Sequence, residues 1–333
     1  MRNRNLSWAL MFFFLVSVGL VVSGCGGSDN WWQNWLLLQN SQKKAPVGGG
    51  GQEPGPFIAN EIFAADPETN TVTVYSRSAT GAATPLRTIT AVNEPDNVAV
   101  DTVHNELFVL SWNDNIIRVF SRTADGAATP LRTLTVTGIG TGDVMGLVVD
   151  TVNNELYVSD DTDGYVLVYA RDASGTATPL RTITGIDGPR GLALDTTHNE
   201  LFVAAIDDDS VLVFSRTADG AATPLRTITG LNRPEGLALD MTNNELIAGS
   251  ASTAAPVLVF SRTATGAATP LRSITTVAGY PEGVAVDPYH NELFVADSEN
   301  GLLYAFARDA TGAATPLRTI TGLSEPEGIA LGP

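Results

Sequence analysis

The sequence holds one cysteine, Cys25, among 333 residues. No disulfide can form within such a chain, and zinc sites built from several cysteines are excluded. Basic residues are also scarce, with 19 Lys and Arg against 36 Asp and Glu. A surface of that sign repels phosphate backbones, so nucleic acid is excluded as an expected partner and cations or basic proteins fit better. No Ser-His-Asp set is recognisable, and the one run of four glycines, Gly48 to Gly51, precedes no phosphate-binding pattern. Beyond residue 57 no run is both long and periodic at 3.6 residues, so helices are not indicated there.

What is present at the N-terminus reads as an address. Arg2 and Arg4 precede an apolar core from Ala9 to Val22, too short for a comfortable bilayer span, and Val22-Ser23-Gly24-Cys25 follows. This ending resembles a bacterial lipobox. The resemblance implies a signal peptide over 1–24, diacylglycerol on the Cys25 thiol, acylation of the new N-terminus and localisation at the cell envelope. Multiple acyl chains anchor durably where one would not. Losing Arg2 and Arg4 from the 19 basic residues leaves 17 against 36 acidic, a formal charge of −19. Gly26, by the sorting rule of enteric bacteria, favours the outer membrane.

Residues 25–56 read as a tether, with Pro46, Pro54 and Pro56 flanking the glycine run. As a flexible coil it spans roughly 30 Å. Trp31, Trp32 and Trp35 precede Leu36-Leu37-Leu38, a composition that suits a short helix at the membrane interface, docking onto the following domain, or simple disorder.

From residue 57 onward the chain repeats. Asn-Glu recurs at Asn60, Asn105, Asn154, Asn199, Asn244 and Asn291, at spacings of 45 to 49 residues, and each unit carries a near-copy of Gly-Ala-Ala-Thr-Pro-Leu-Arg. In one unit, Pro189–Asp195, Asn199–Ala204, Ser210–Ser215 and Pro224–Thr229 each have strand length, separated by turn residues. The first three runs are apolar on both faces, as strands covered on each side must be, while the fourth is more polar and opens with Pro, as an outer edge does. Four strands at this period predict an all-β, six-bladed β-propeller over 57–333 with four antiparallel strands per blade. The first unit lacks a leading strand, and Pro326–Leu331 is a leading strand without followers. The C-terminal strand is therefore expected to close the first blade.

The pattern Pro-x-Gly-Leu-Ala-Leu-Asp, then Asn-Glu-Leu-Phe-Val-Ala, then Val-Leu-Val-Phe resembles NHL-type repeats. More broadly it is similar to the six-bladed superfamily of TolB-like, SMP-30/gluconolactonase-like and streptogramin-lyase-like propellers. The resemblance implies a fold and leaves function open among binders, scaffolds, hydrolases and lyases. SMP-30-like members hold a divalent metal near the axis with Glu, Asn and Asp, a set with no clear match here. Lyase-like chemistry wants a channel-face histidine, and His104, His198 and His290 all fall in the turn before Asn-Glu.

Residues found in every repeat are expected to serve the blade. Asp101, Asp150, Asp195, Asp240 and Asp287 end the leading strands, and the sixth position, where no turn follows, is Gly332. This predicts turn capping rather than metal binding. Twelve arginines, two per unit, read as exposed charges or bridges between blades.

Function is sought where repetition breaks, in the loops joining second to third and fourth to first strands. The position before the leading strand's glycine should lie at the mouth of the central channel. It reads Asp96, Met145, Arg190, Glu235, Glu282 and Glu327. Four carboxylates and one arginine there suit a hard cation such as calcium, a cationic ligand, or plain solvated charge. Trp112, in a variable loop on the same face, is a candidate contact, and the junction Val136 to Val144 alone lacks a proline. Three readings follow: a non-catalytic lipid-anchored propeller that binds a protein or glycan at the envelope, a metal-dependent hydrolase or lactonase, and a structural surface or assembly protein.

Overall fold

A computed structural model describes residues 60–138, 142–250 and 256–333. The signal segment, Cys25, the tether and Trp31, Trp32 and Trp35 lie outside the described residues. Among those described, every regular element is a strand, and 24 strands form six four-stranded antiparallel sheets. Numbered along the chain, blades 2 to 6 are continuous: 95–135, 144–184, 189–229, 234–274 and 281–321. Blade 1 combines Glu61–Asp66, Thr71–Ser76 and Arg87–Ile89 with the C-terminal strand Ile329–Gly332, which pairs with Glu61–Ala64. The expected closure is what the ladder shows.

No single central core exists. Six apolar clusters fill the six gaps between blades, each built from the facing sides of two sheets. Phe63, Phe108, Tyr157, Phe202 and Phe294, at one register position of the second strands, are fully buried in these gaps. This explains the two-sided apolar strands, because both faces meet a neighbour.

The Gly-Ala-Ala-Thr-Pro-Leu-Arg motif has a use that the sequence did not reveal. In each blade its glycine pairs with the outermost strand of the preceding blade, as Gly220 does with Ile183. Gly220 N–H donates to the Thr182 carbonyl at 2.7 Å, and Thr184 N–H donates to the Gly220 carbonyl at 2.9 Å. Six such pairs cover six edge strands that would otherwise be open to pairing with another chain. Gly220 sits at φ 63°, where an added Cβ meets no atom within 4 Å. Gly220→Ala therefore carries only the cost of the left-handed backbone, about 1 kcal/mol. It should appear as a lower denaturant midpoint at unchanged slope.

The repeated charges form a second seam. Each glutamate of Asn-Glu grips the outer-strand arginine of its own blade and a third-strand arginine of the next. Glu61 accepts from Arg87 at 2.8 and 2.9 Å and from Arg122 at 2.8 Å. The set closes on itself where Glu292 binds Arg318 and Arg77. The six third-strand arginines are thus ion-pair bridges between blades, the six outer-strand arginines pair within their own blade, and all twelve side chains are largely withdrawn from solvent. The arginine partners hold Glu106, Glu200 and Glu245 below the usual carboxylate range, and they outweigh burial at Glu155 and Glu292.

The turn aspartates cap as expected. Asp101 Oδ1 accepts from the Val103 and His104 N–H groups at 2.9 and 2.8 Å, and Oδ2 lies 2.7 Å from His104 Nδ1. Asn153 and Asn243 use Nδ2 in the same place, 2.8 Å from Asp150 and Asp240. The asparagine before each glutamate takes φ of 55–58° in blades 2 to 6, a left-handed position that asparagine tolerates.

Candidate functional site at the channel mouth

Leading strands begin with an irregularity. Between Pro189 and Leu192 the ladder to the second strand shifts register, and the same shift recurs in blades 2, 3, 5 and 6. Such a bulge re-aims a side chain, here toward the axis. The glycine after it lets the next blade approach: a Cβ on Gly191 would strike the Glu235 carbonyl oxygen, and one on Gly236 that of Glu282. The Pro-x-Gly signature is therefore a device for closing the channel neck tightly.

All six expected positions come together. Asp96, Met145, Arg190, Glu235, Glu282 and Glu327 line one narrow cavity of about 40 Å³, together with Asn97 and the neck glycines Gly191, Gly236 and Gly328. Beneath it the channel widens to about 270 Å³ between apolar residues such as Val98, Leu147, Leu192, Leu237, Val284 and Ile329. Above it opens a vestibule of about 340 Å³ walled by Pro67, Glu68, Glu94, Trp112, Asp143 and Glu325. Trp112 is half-buried at this wall, so it is both packed on the rim and presented to the vestibule.

The mouth is internally wired. The Arg190 guanidinium lies 3.0 Å from Glu235 and 3.2 Å from Asp161 of the neighbouring blade's loop. Ser298 donates to Glu282 at 2.9 Å. Asp96 and Glu327 hydrogen-bond to each other, which requires one of the two to carry a proton. Burial, reinforced by the neighbouring carboxylate charges, pushes both well above the usual carboxylate range. Burial also raises Glu282, to about 7, and raises Glu235 despite its arginine partner. Among the described residues, Glu327 Oε2 is buried with no hydrogen-bond partner.

The donor set at the mouth does not assemble a divalent-ion site: one of the four carboxyls is committed to Arg190, and Met145 occupies one of the six places. No group of three or more His, Cys, Asp or Glu among the described residues is arranged to hold a metal. The three histidines are tied to turn aspartates on the opposite face.

Sequence reasoning missed the vestibule's outer acids, Glu68, Glu94, Asp143 and Glu325, and the partners Asp161 and Ser298. Glu94, Asp143 and Glu325 share the position just before Pro-x-Gly or its equivalent, and Asp161 and Ser298 share the second position of the second-to-third loop, but the residue type there varies from blade to blade, so only those variable positions read across the blades could have pointed to them. The Val136 to Val144 junction is fastened by Asn115, whose Nδ2 donates to the Gly142 carbonyl at 3.1 Å; residues 139–141 lie outside the described set.

No protein family and no curated protein matches the sequence. Solved structures do match in shape. A chain from the crystal structure of a nidogen/laminin complex superposes with a TM-score of 0.64 at 16% identity, covering 82% of this chain and 98% of that one. A protein from Lactobacillus plantarum gives 0.59 at 22% identity, covering 83% and 86%. A functionally unknown protein from Desulfotomaculum acetoxidans gives 0.61 at 14% identity, covering 82% and 99%. At these identities the likeness is one of fold: the chain is a six-bladed β-propeller.

Proposed function

We propose that the chain is a lipid-anchored, non-catalytic propeller of the NHL/TolB-like kind that binds a basic segment of an envelope protein at its acidic vestibule. The observation that carries this reading is the vestibule itself. Glu68, Glu94, Asp143 and Glu325 share its wall with Trp112, above a narrow neck that holds the Arg190–Glu235 ion pair. Lysine or arginine side chains meet there both opposite charge and an aromatic ring, two interactions that reinforce each other. The narrow neck favours surface recognition over passage of a small substrate. A propeller of similar shape occurs in the nidogen/laminin complex, which supports protein binding as a use of this fold. The lactonase reading loses weight because Glu235 is committed to Arg190 and no three acidic, His or Cys side chains among the described residues are arranged to hold a metal. Assembly through sheet edges loses weight because the glycine pairs cover those edges.

A short oligolysine peptide titrated calorimetrically into the protein tests this. Binding should fall several-fold on Glu94→Gln with Glu325→Gln, and persist on Glu299→Gln with Asp207→Asn, a pair that removes the same charge from elsewhere on that face. Equal losses from both pairs would mean non-specific attraction and would remove the proposal.

A further inference from the structure

The two faces of the propeller differ sharply. One carries the first-to-second turns, the third-to-fourth connections and the point at which the chain enters, where Asn60 N–H donates to the Gly332 carbonyl at 2.8 Å. The other carries the vestibule. Eleven large apolar side chains are exposed among the described residues, and ten lie toward the entry face, four in its turns and six on the outer blade edges just below it. Six are the leucines of Pro-Leu-Arg, one per blade around the rim, from Leu86 at 54% to Leu131 at 61% exposed. Val103, Val152, Met241 and Tyr289 form an inner set in the turns, while Tyr280 alone sits on the vestibule side. Single exposed apolar residues are ordinary. A ten-to-one division between faces is not.

Charge divides in the same sense. Between residues 60 and 333 the entry face holds twelve arginines against fifteen carboxylates. Most of these charges are already paired in the glutamate–arginine seam or hold turns, so little charge is left unpaired there. The vestibule face holds Arg118, Arg190 and Arg233 against nineteen carboxylates. An anionic bilayer surface repels the second face and tolerates the first.

We infer that the entry face lies against the lipid surface to which the chain is anchored, so that the vestibule points away from the membrane. This orientation rests on the lipid-anchor reading of Cys25. It gives the repeated Pro-Leu step a role beyond the blade, because a ring of leucines around a nearly neutral face can settle into the interfacial layer as the apolar side of an amphipathic helix does. The tether enters on the same side, so the chain need not cross the rim to reach the membrane. It also leaves the basic-segment site open to partners rather than to lipid.

Lipidation consumes the thiol of the only native cysteine, so a single introduced cysteine can carry a fluorescent label. Leu225→Cys and Glu299→Cys, made separately in the full lipidated protein, place the label on the entry and vestibule faces at exposed sites; Leu131→Cys repeats the first in another blade. In vesicles containing headgroup-level nitroxide lipid, the labels at 225 and 131 should be quenched several-fold more than the label at 299. Equal quenching, or the reverse order, overturns the orientation. So does a label at 225 that is shielded from aqueous iodide without lipid quenching, because a protein partner or second copy then covers the face. A maleimide-reactive Cys25 in the parent protein is a separate outcome: it removes the anchor, and the orientation with it.

Discussion

A chain ended after Ser324 is expected to show no cooperative unfolding transition. The missing residues include Ile329–Gly332, the innermost strand of blade 1, which pairs with Glu61–Ala64. Ile329 belongs to the apolar cluster between blades 6 and 1, and Gly332 lies against the Phe63 ring. Glu327 and the hydrogen bond from Gly328 N–H to the Asp96 carbonyl, 2.8 Å long, disappear as well. Lost burial of three apolar side chains costs a few kcal/mol at about 25 cal/mol per Å². The lost ladder bonds add roughly 1 kcal/mol each. The sum approaches the whole stability of an ordinary domain, about 5–15 kcal/mol. The loss is worse than local, because a propeller that does not close leaves an inter-blade gap open to water. Thermal scans by circular dichroism read the result, and a synthetic 325–333 peptide added in trans should restore part of the transition. A truncated chain melting within a few degrees of the parent would show that the ring does not depend on its closure.

The closure was legible because the repeat made the missing strand countable: five complete units, one lacking its start, and one start left over. The mouth was legible for a related reason. Pro-x-Gly recurs, so one position read across the blades gives a ring, and the bulge that aims this position at the axis is itself part of the repeat. Strand ends were less legible. The fourth strand of blade 4 begins at Arg226 rather than Pro224, since proline has no N–H to give to the ladder. The glycine pairs between blades and the double use of each Asn-Glu glutamate were invisible, because both depend on which residues of neighbouring blades face each other. Arg190 shows the same limit: its sequence position placed it at the mouth, but its bridge to Asp161 joins the fourth blade to a loop of the third. Of the vestibule acids, Glu94, Asp143 and Glu325 share the position just before Pro-x-Gly or its equivalent, but only three of the six blades carry a carboxylate there, so the repeat itself gives no ring.

Replacing Glu282 and Glu327 together by Gln is expected to stabilise the protein at pH 8. Both carboxyls are raised by burial, Glu282 to about 7, so the folded protein near neutrality holds protons that the unfolded chain has released. Stability from raised carboxyls is fully present below the unfolded value of about 4.3 and is lost as pH climbs through the folded values. The glutamates of the arginine seam act in the opposite sense. Their folded values are depressed, so their contribution is present above about 4.3 and lost as pH falls further. The parent should therefore be most stable near pH 5 and weaken toward pH 8. Glutamine keeps the shape and can still donate to Asp96, but carries no charge to desolvate. A shift of one pKa unit corresponds to 1.36 kcal/mol, and allowing for the partial exposure of these groups the gain at pH 8 is about 3 kcal/mol. That should raise the melting point by roughly 5 °C or more and flatten the profile between pH 5 and 8. If the double variant is instead less stable than the parent at pH 8, the mouth carboxylates are held by a compensating cation or water network, and the neck is a binding site in its own right. If the gain appears, the chain carries destabilising charge at its mouth that the fold does not need, and a basic partner reaching down from the vestibule would relieve it on binding.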